Sequence, residues 1–264
     1  MFMEVVGASG SKNSVDRIVC MRLGEKVLID AGSASFIPYR QLNQIEAIIL
    51  THAHLDHILD LGFVLDSLVP QRETPLVVMG SEACISIIKA HYMNGLIWPD
   101  FTRIYSNGNP VLEYRVIDDF CWTDLPGGVS CMAVPVNHPA GARGFLFRHD
   151  GFTLVYSGDT GPTHSLWETA AAEGDVSALV IEVSFPDSSK SIALAADHLC
   201  PSLAAAEMAK LGKDGFPVYI FHMKPWFSEE IERDLSPLGS NARFLHQGDR
   251  IEFSRLSVPH AQVQ

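Results

Sequence analysis

Four side chains able to bind a metal ion fall within six consecutive positions: His52, His54, Asp56 and His57, in the run Thr51-His52-Ala53-His54-Leu55-Asp56-His57. The run starts where the apolar stretch 46–50, bounded by the polar Asn43-Gln44, would leave a sheet as a buried strand. The ends of such strands are where α/β sites form. Side chains alternate along an extended chain, so His52 and His54 point the same way and can hold one ion. Asp56 and His57 open a helix over the apolar stretch 58–63 and face a second ion nearby. Three His and one Asp at these offsets are far rarer than an isolated histidine, whose usual place is the surface.

Two ions need more than four protein ligands and a shared water. Three further donors each follow a β-rich apolar run: His138 after Val134-Pro135-Val136-Asn137, Asp159 after Val155-Tyr156-Ser157-Gly158, and His222 after Val218-Tyr219-Ile220-Phe221. A carboxylate can bridge two cations while imidazoles cap them, so Asp159 is expected as the bridge, with one further His per ion. A hydroxide shared by two cations is nucleophilic at neutral pH, and the same ions neutralise a phosphodiester oxygen. Hydrolysis then needs no protein nucleophile, and Asp56, between ligands, is expected both to bind an ion and to orient that hydroxide. All-His/Asp donors without thiolate suit zinc first, and manganese or iron tolerate the same set.

The run His52-x-His54-x-Asp56-His57, then His138, then Ser157-Gly158-Asp159-Thr160, then His222, resembles the metallo-β-lactamase superfamily along nearly the whole chain. The resemblance implies an α/β fold, the four-layer αβ/βα sandwich of the metallo-β-lactamase type. It also implies one ion held by His52, His54 and His138, a second by Asp56, His57 and His222, and Asp159 spanning both. Asp30, in Val27-Leu28-Ile29-Asp30-Ala31-Gly32, looks like the superfamily's early Asp-x-Gly turn behind the ions.

Four further segments resemble the class II 3′,5′-cyclic nucleotide phosphodiesterases. They are Leu55 within the ligand run; His91 to Phe101, with Asn94 and Trp98-Pro99-Asp100; Ile181-Glu182-Val183-Ser184 with His198-Leu199-Cys200-Pro201; and Phe221-His222-Met223-Lys224-Pro225. This resemblance implies hydrolysis of a 3′,5′-cyclic nucleotide, cyclic AMP first, to the 5′-monophosphate. Asp60 stands where the family commonly has a small residue and Cys200 where Thr is usual, departures that bear on substrate range more than on chemistry.

Expulsion of a 3′-oxygen is helped by a proton donor beyond phosphorus, and His198 is the expected donor. Glu182 is expected to pair with it, keep the imidazolium populated and fix its tautomer. The helix start after His198 offers backbone N–H groups to phosphate oxygens. Asn94 and Trp98 are expected to hold the nucleobase by hydrogen bonding and stacking. Lys224 either reaches phosphate or is solvated at a strand end.

The chief rival is a transfer-RNA 3′-processing endonuclease of the ribonuclease Z type, whose ligands and His198 region are similar. Only 21 positions separate His138 from Asp159, leaving no room there for the RNA-gripping arm of such nucleases. A lactone, thioester or β-lactam hydrolase could use the same hydroxide on carbonyl carbon, although Trp98-Pro99-Asp100 disfavours it. A non-catalytic metal-binding scaffold is disfavoured by the complete donor set.

At 264 residues and 47% apolar composition the chain can form one large α/β core. Donors spread from 52 to 222 must converge and no linker is visible, so a single hydrolase domain over 1–264 is expected, with residues from about 257 frayed. The N-terminus lacks a basic segment before a long apolar core, and no run approaches 18 apolar residues, so a cytoplasmic protein without membrane contact is expected. Five scattered cysteines without a C-x-x-C pair read as free thiols in a reducing compartment. A net charge of −12 argues against nucleic acid as partner. A small anionic nucleotide remains compatible, because two divalent ions invert the local charge. Oligomeric state is left open, a homodimer included.

Strands are expected at 26–30, 46–50, 76–79, 131–136, 144–148, 153–157, 178–182 and 217–222. Helices are expected at 83–93, 164–173 and 201–211, the last with Pro201 at its first position and an apolar stripe of Leu203, Ala204, Met208 and Leu211. Ser228 is expected to cap an acidic helix over 229–234.

Overall fold

The computed structural model describes residues 1–69, 72–174, 176–213, 215–236 and 242–253. Short apolar runs pair into two seven-stranded sheets. In the first, β1 (Phe2–Gly7), β2 (Cys20–Leu23), β3 (Val27–Ile29), β4 (Ala47–Ile49), β5 (Leu76–Gly80) and β8 (Leu112–Val116) lie in that order, with β16 (Arg250–Glu252) outside β1. In the second the order is β9 (Trp122–Leu125), β10 (Val129–Pro135), β11 (Arg143–His149), β12 (Phe152–Tyr156), β13 (Val176–Glu182), β14 (Val218–Phe221) and β15 (Ala242–Phe244). β6 (Tyr105–Ser106) and β7 (Asn109–Pro110) form a separate small ribbon.

Each sheet is antiparallel on one side and parallel on the other. The parallel ladders are β3-β4-β5-β8 and β12-β13-β14-β15. Parallel neighbours require crossovers, and helices supply them. These are α1 (Tyr39–Leu42), α2 (Leu55–Ile58), α3 (Leu61–Leu68) and α4 (Glu82–His91) on the first sheet. On the second they are α5 (Ser165–Glu173), α6 (Lys190–Ala195), α7 (Pro201–Ala209) and α8 (Ser228–Leu235).

The period-2 alternation of each strand explains the layering. Val27, Ile29, Ala47 and Ile49 face Phe145, Leu154, Tyr156, Val180 and Phe221 between the sheets. Their neighbours Leu28 and Ile48 face outward onto Leu61, Val64 and Leu65 of α3 and Ile85 and Ile88 of α4. On the other side Leu146, Val155, Leu179, Ile181 and Ile220 meet Leu166 and Trp167 of α5, Ala204 of α7 and Ile231 of α8. Helix, sheet, sheet and helix make the expected four-layer αβ/βα sandwich. Truncating a wholly buried strand residue such as Ile48 to Ala would cost about 2–5 kcal/mol.

The eight expected strands are present with ends shifted by at most a few residues; β1, β2, β6, β7, β8, β9, β15 and β16 were not among them. α7 stops at Ala209 rather than at 211, with buried Glu207 facing inward to accept from Trp167 Nε1 at 2.6 Å. Ser228 is the first residue of α8 rather than its cap: its hydroxyl donates to Pro225 O at 3.0 Å, so the position before it is Phe227. The tail expected to fray, from about 257, lies outside the described residues. Among the described residues no helix is long and apolar enough to cross a membrane.

Candidate metal centre and active site

Asp30 follows β3, His52 follows β4, Asp159 follows β12 and His222 follows β14, while Glu182 ends β13. The C-terminal ends of the parallel strands of both sheets thus deliver side chains to one rim, the usual place for α/β sites. All seven expected metal donors meet there in two groups. In the first, His54 Nδ1 lies 3.1 Å from His138 Nε2, and the His52 and His138 rings are edge to face at 4.9 Å. In the second, His57 Nε2 and His222 Nε2 are 3.4 Å apart and Asp56 Oδ2 is 3.3 Å from His222 Nε2. Asp159 Oδ2 lies 3.2 Å from His57 Nε2, 3.1 Å from His222 Nε2 and 3.8 Å from His52 Nε2, so it reaches from one group to the other.

Local backbone makes this convergence possible. His54 is extended and caps α2, which puts Asp56 in the first helical turn and His57 in the next position. Asp30 (φ 59°) and His222 (φ 67°) adopt the left-handed conformation that non-glycine residues rarely take. His222 is held there by its N–H to Ala8 O at 2.7 Å. Two glycines allow the backbone to close around these turns. A Cβ on Gly10 would lie 2.3 Å from His222 O and 2.7 Å from its Nδ1, and one on Gly32 would lie 2.0 Å from Asp56 O.

The outer nitrogens of His57, His138 and His52 have partners of their own. His57 Nδ1 is 2.7 Å from Asp30 Oδ2, and His138 Nδ1 is 2.8 Å from Asp197 O. Thr51 donates its hydroxyl to Asp30, 2.9 Å from Oδ2, and accepts from His52 Nδ1 at 3.0 Å. For His52 and His138, whose pKa values burial lowers, the oxygen behind Nδ1 assigns the proton to that atom and leaves Nε2 as a bare lone pair. The bare Nε2 of His52 therefore faces the carboxylate of Asp159, 3.8 Å from its Oδ2. His52 Nε2 and Asp159 Oδ1 are buried without any hydrogen-bond partner. Buried acceptors without a proton between them are unfavourable unless a cation lies among them. The residues present fit divalent-metal binding.

Electrostatics agree with that arrangement. Burial alone would raise the Asp159 carboxyl, but the imidazoles of His222, His57 and His52 hold it well below the usual range. Burial alone would strip His57 of its proton, but Asp159 and Asp30 hold its pKa well above the ordinary value. Burial, reinforced by positive His57, pushes His52 well down. Asp30 is pushed up by burial despite His57.

His198 stands against this centre, its ring 4.8 Å from that of His138 and 5.2 Å from that of His222. Its Nδ1 is 2.7 Å from Glu182 Oε1, which also accepts from the backbone N–H of Thr160 and Leu199. Burial works against a proton on His198, yet Glu182 outweighs it and the pKa is raised. The expected pair is thus formed.

Of the two residues expected to hold a nucleobase, Asn94 is engaged within its own turn. Asn94 Oδ1 accepts from the N–H groups of Leu96 and Ile97 while Nδ2 donates to Ala90 O, so its polar atoms close its own turn. It lines a hollow with Lys89, Asp100 and Tyr114 that contains none of the seven donors. Trp98 packs edge to face on Phe63 at 4.8 Å and covers Gly62, with its Nε1 buried. Lys224 is not freely solvated: its amine donates to Gly10 O at 3.1 Å and sits 5.2 Å over the Phe185 ring. Asp60 is structural, accepting from the backbone and hydroxyl of Ser35. Sequence reasoning did not assign Thr51, Ser184, Gly10 or Gly32 to the site; the one available signal was that Thr51 and Ser184 adjoin quoted motif residues.

Residues 25–223 match the family model described as Beta-lactamase superfamily domain. The chain is 27% identical over 188 residues to a 3′,5′-cyclic-nucleotide phosphodiesterase of Schizosaccharomyces pombe, a match covering 64% of this chain and 51% of that protein. It is 31% identical over 144 residues to a ribonuclease Z of Mycolicibacterium gilvum, covering 50% and 49%. The match thus spans about half the length of each of these relatives. The crystal structure of unliganded yeast PDE1 superposes with a TM-score of 0.78 at 17% identity, over 94% of this chain and 98% of that one, and so shares the fold. With a family match over most of its length and the fold of those proteins, the chain belongs to the β-lactamase superfamily.

Proposed function

We propose that this protein is a divalent-metal-dependent phosphodiesterase that hydrolyses 3′,5′-cyclic nucleotides to 5′-monophosphates, cyclic AMP first. The observation that carries the reading is His198, backed by Glu182 at 2.7 Å, with its ring stacked on that of His222 and tilted against that of His138. Two cations would be held by His52, His54 and His138 and by Asp56, His57 and His222, with Asp159 between them. When bound, such ions lower the pKa of water and neutralise phosphate charge.

The chain's own residues supply the rest. Glu182 accepts a hydrogen bond from the Nδ1 proton of His198 and favours its charged form, so that Nε2 can deliver its proton to the departing 3′-oxygen. Asp56, whose side chain is 30% exposed beside His222, orients the attacking water. The likeness to cyclic-nucleotide phosphodiesterases supports the substrate class.

The ribonuclease Z likeness supports a second reading, cleavage of precursor transfer RNA. Two features weigh against it. The interval from His138 to Asp159 is filled by the β11–β12 hairpin, closed by Asp150-Gly151 with positive φ at both positions, a two-residue turn from which no arm projects. A net charge of −12 also repels a polyanion. Metal-loaded protein assayed on cyclic AMP, cyclic GMP and precursor transfer RNA tests the choice. The expected result is 5′-monophosphate from a cyclic nucleotide and intact transfer RNA. Cleaved transfer RNA with an untouched cyclic nucleotide reverses the assignment.

A further inference from the structure

Three polar groups converge on the Ser184 hydroxyl, which is wholly buried two residues beyond the end of β13. Its Oγ lies 2.8 Å from Glu182 Oε2, 2.8 Å from His222 Nδ1 and 3.3 Å from His198 Nδ1. The backbone is fixed as well, since Ser184 N donates to Leu199 O at 3.1 Å in the segment leading into α7. A hydroxyl has one proton to give and two lone pairs. Glu182, as a carboxylate, only accepts, so the Ser184 proton goes to Oε2. His198 already directs its Nδ1 proton to Glu182 Oε1 at the shorter 2.7 Å. The lone pair of Ser184 is thus left for the Nδ1 proton of His222. That fixes a proton on the outer nitrogen of His222 and turns Nε2, which faces Asp56, His57 and Asp159, to the metal side.

We propose that Ser184 is a positioning residue that ties the metal donor His222 to the acid pair His198 and Glu182. One hydroxyl sets the tautomer of the donor and steadies the carboxylate that aims the acid. The charge of Glu182 reaches His222 through the hydroxyl, as the charge of Asp30 reaches His57 directly. Groups behind a metal-binding imidazole orient it and strengthen it as a donor. The proposal rests on the metal-centre part of the reading above and is independent of which phosphodiester is cleaved.

Ser184→Ala leaves the His222 Nδ1 proton and Glu182 Oε2 without these partners in a dry interior. In the zinc-loaded wild type, imidazole nitrogen–proton correlation spectra are expected to show His222 protonated at Nδ1, with that proton slow to exchange. In Ser184→Ala the protection is expected to vanish, and the affinity for the more weakly held ion to fall about 10–100-fold, the usual size for such supporting groups. Ser184→Thr, which keeps the hydroxyl, is expected to restore both. A wild-type His222 protonated at Nε2, or a Ser184→Ala protein binding both ions as tightly as wild type, overturns the proposal. Should Ser184→Ala fail to fold, the wild-type spectrum alone decides. None of these measurements uses a nucleotide, so failure of the phosphodiesterase reading and failure of this one are distinguishable.

Discussion

Asp30 Oδ2 and His57 Nδ1 lie 2.7 Å apart, and neither side chain has any exposure to solvent. On the other ring nitrogen of His57 sits Asp159, at 3.2 Å. One imidazole is thus held between two buried carboxylates, which keep its pKa well above the ordinary value against the effect of burial. Without metal the ring carries a proton at neutral pH; as a ligand it cannot keep the one on Nε2. Binding therefore releases protons, and affinity rises with pH until that proton is gone. Calorimetric titration in buffers of different ionisation heat is expected to give release of roughly one proton per chain or more near neutrality. Heats independent of the buffer contradict this. Asp30→Asn is expected to weaken metal binding about 10–100-fold and to reduce the proton release.

His198→Ala is expected to keep both ions and to lower turnover about 100-fold or more, the usual size of acid catalysis. Metal content by elemental analysis separates a lost acid from a damaged centre. Unchanged turnover removes His198 from the mechanism.

Gly10→Ala places a methyl group where the His222 carbonyl and ring already are, so the loop or the ligand must move. Overpacking of this kind costs about 1–3 kcal/mol, and the expected result is a lower melting temperature together with impaired metal retention. A variant that melts and binds metal like wild type shows that the loop can step back from His222.

Burial pushes the thiols of Cys84 and Cys131 up to about 12 and raises that of Cys20, which also feels the charges of Asp30 and Asp60. Cys200 is buried too, whereas Cys121 is exposed. Thiolate is the reacting form. Dithionitrobenzoate at pH 8 is expected to modify a single thiol rapidly in the native protein, and Cys121→Ser is expected to abolish that phase. A second fast thiol contradicts the packing described.

The seven donors were legible in the sequence because metal binding draws on few residue types and each group follows an apolar strand. Glu182 was legible at the end of an apolar strand, and His198 through the resemblance of its segment and the helix start that follows it. The hydroxyls were not: Thr51 and Ser184 belong to common residue types, and their partners, Asp30 and His222, come from distant strands. Asn94 misled because a motif says which residue stands at a position, not whether its amide is taken up by its own turn. β1 and β2 escaped notice because Glu4 and Arg22 interrupt their apolar runs. The two lie opposite each other across the strands and pair at 2.8 Å, a relationship that exists only once the strands are side by side.

The central claim is that side chains from positions 52 to 222 enclose two cations beside His198. Anomalous-scattering maps from crystals of the zinc-loaded protein, grown with adenosine 5′-monophosphate, test it most directly. Two peaks are expected, one among His52, His54 and His138 and one among Asp56, His57 and His222, with Asp159 touching both and the phosphate lying on the His198 side. No metal peak among these residues, or one ion bound elsewhere, contradicts it.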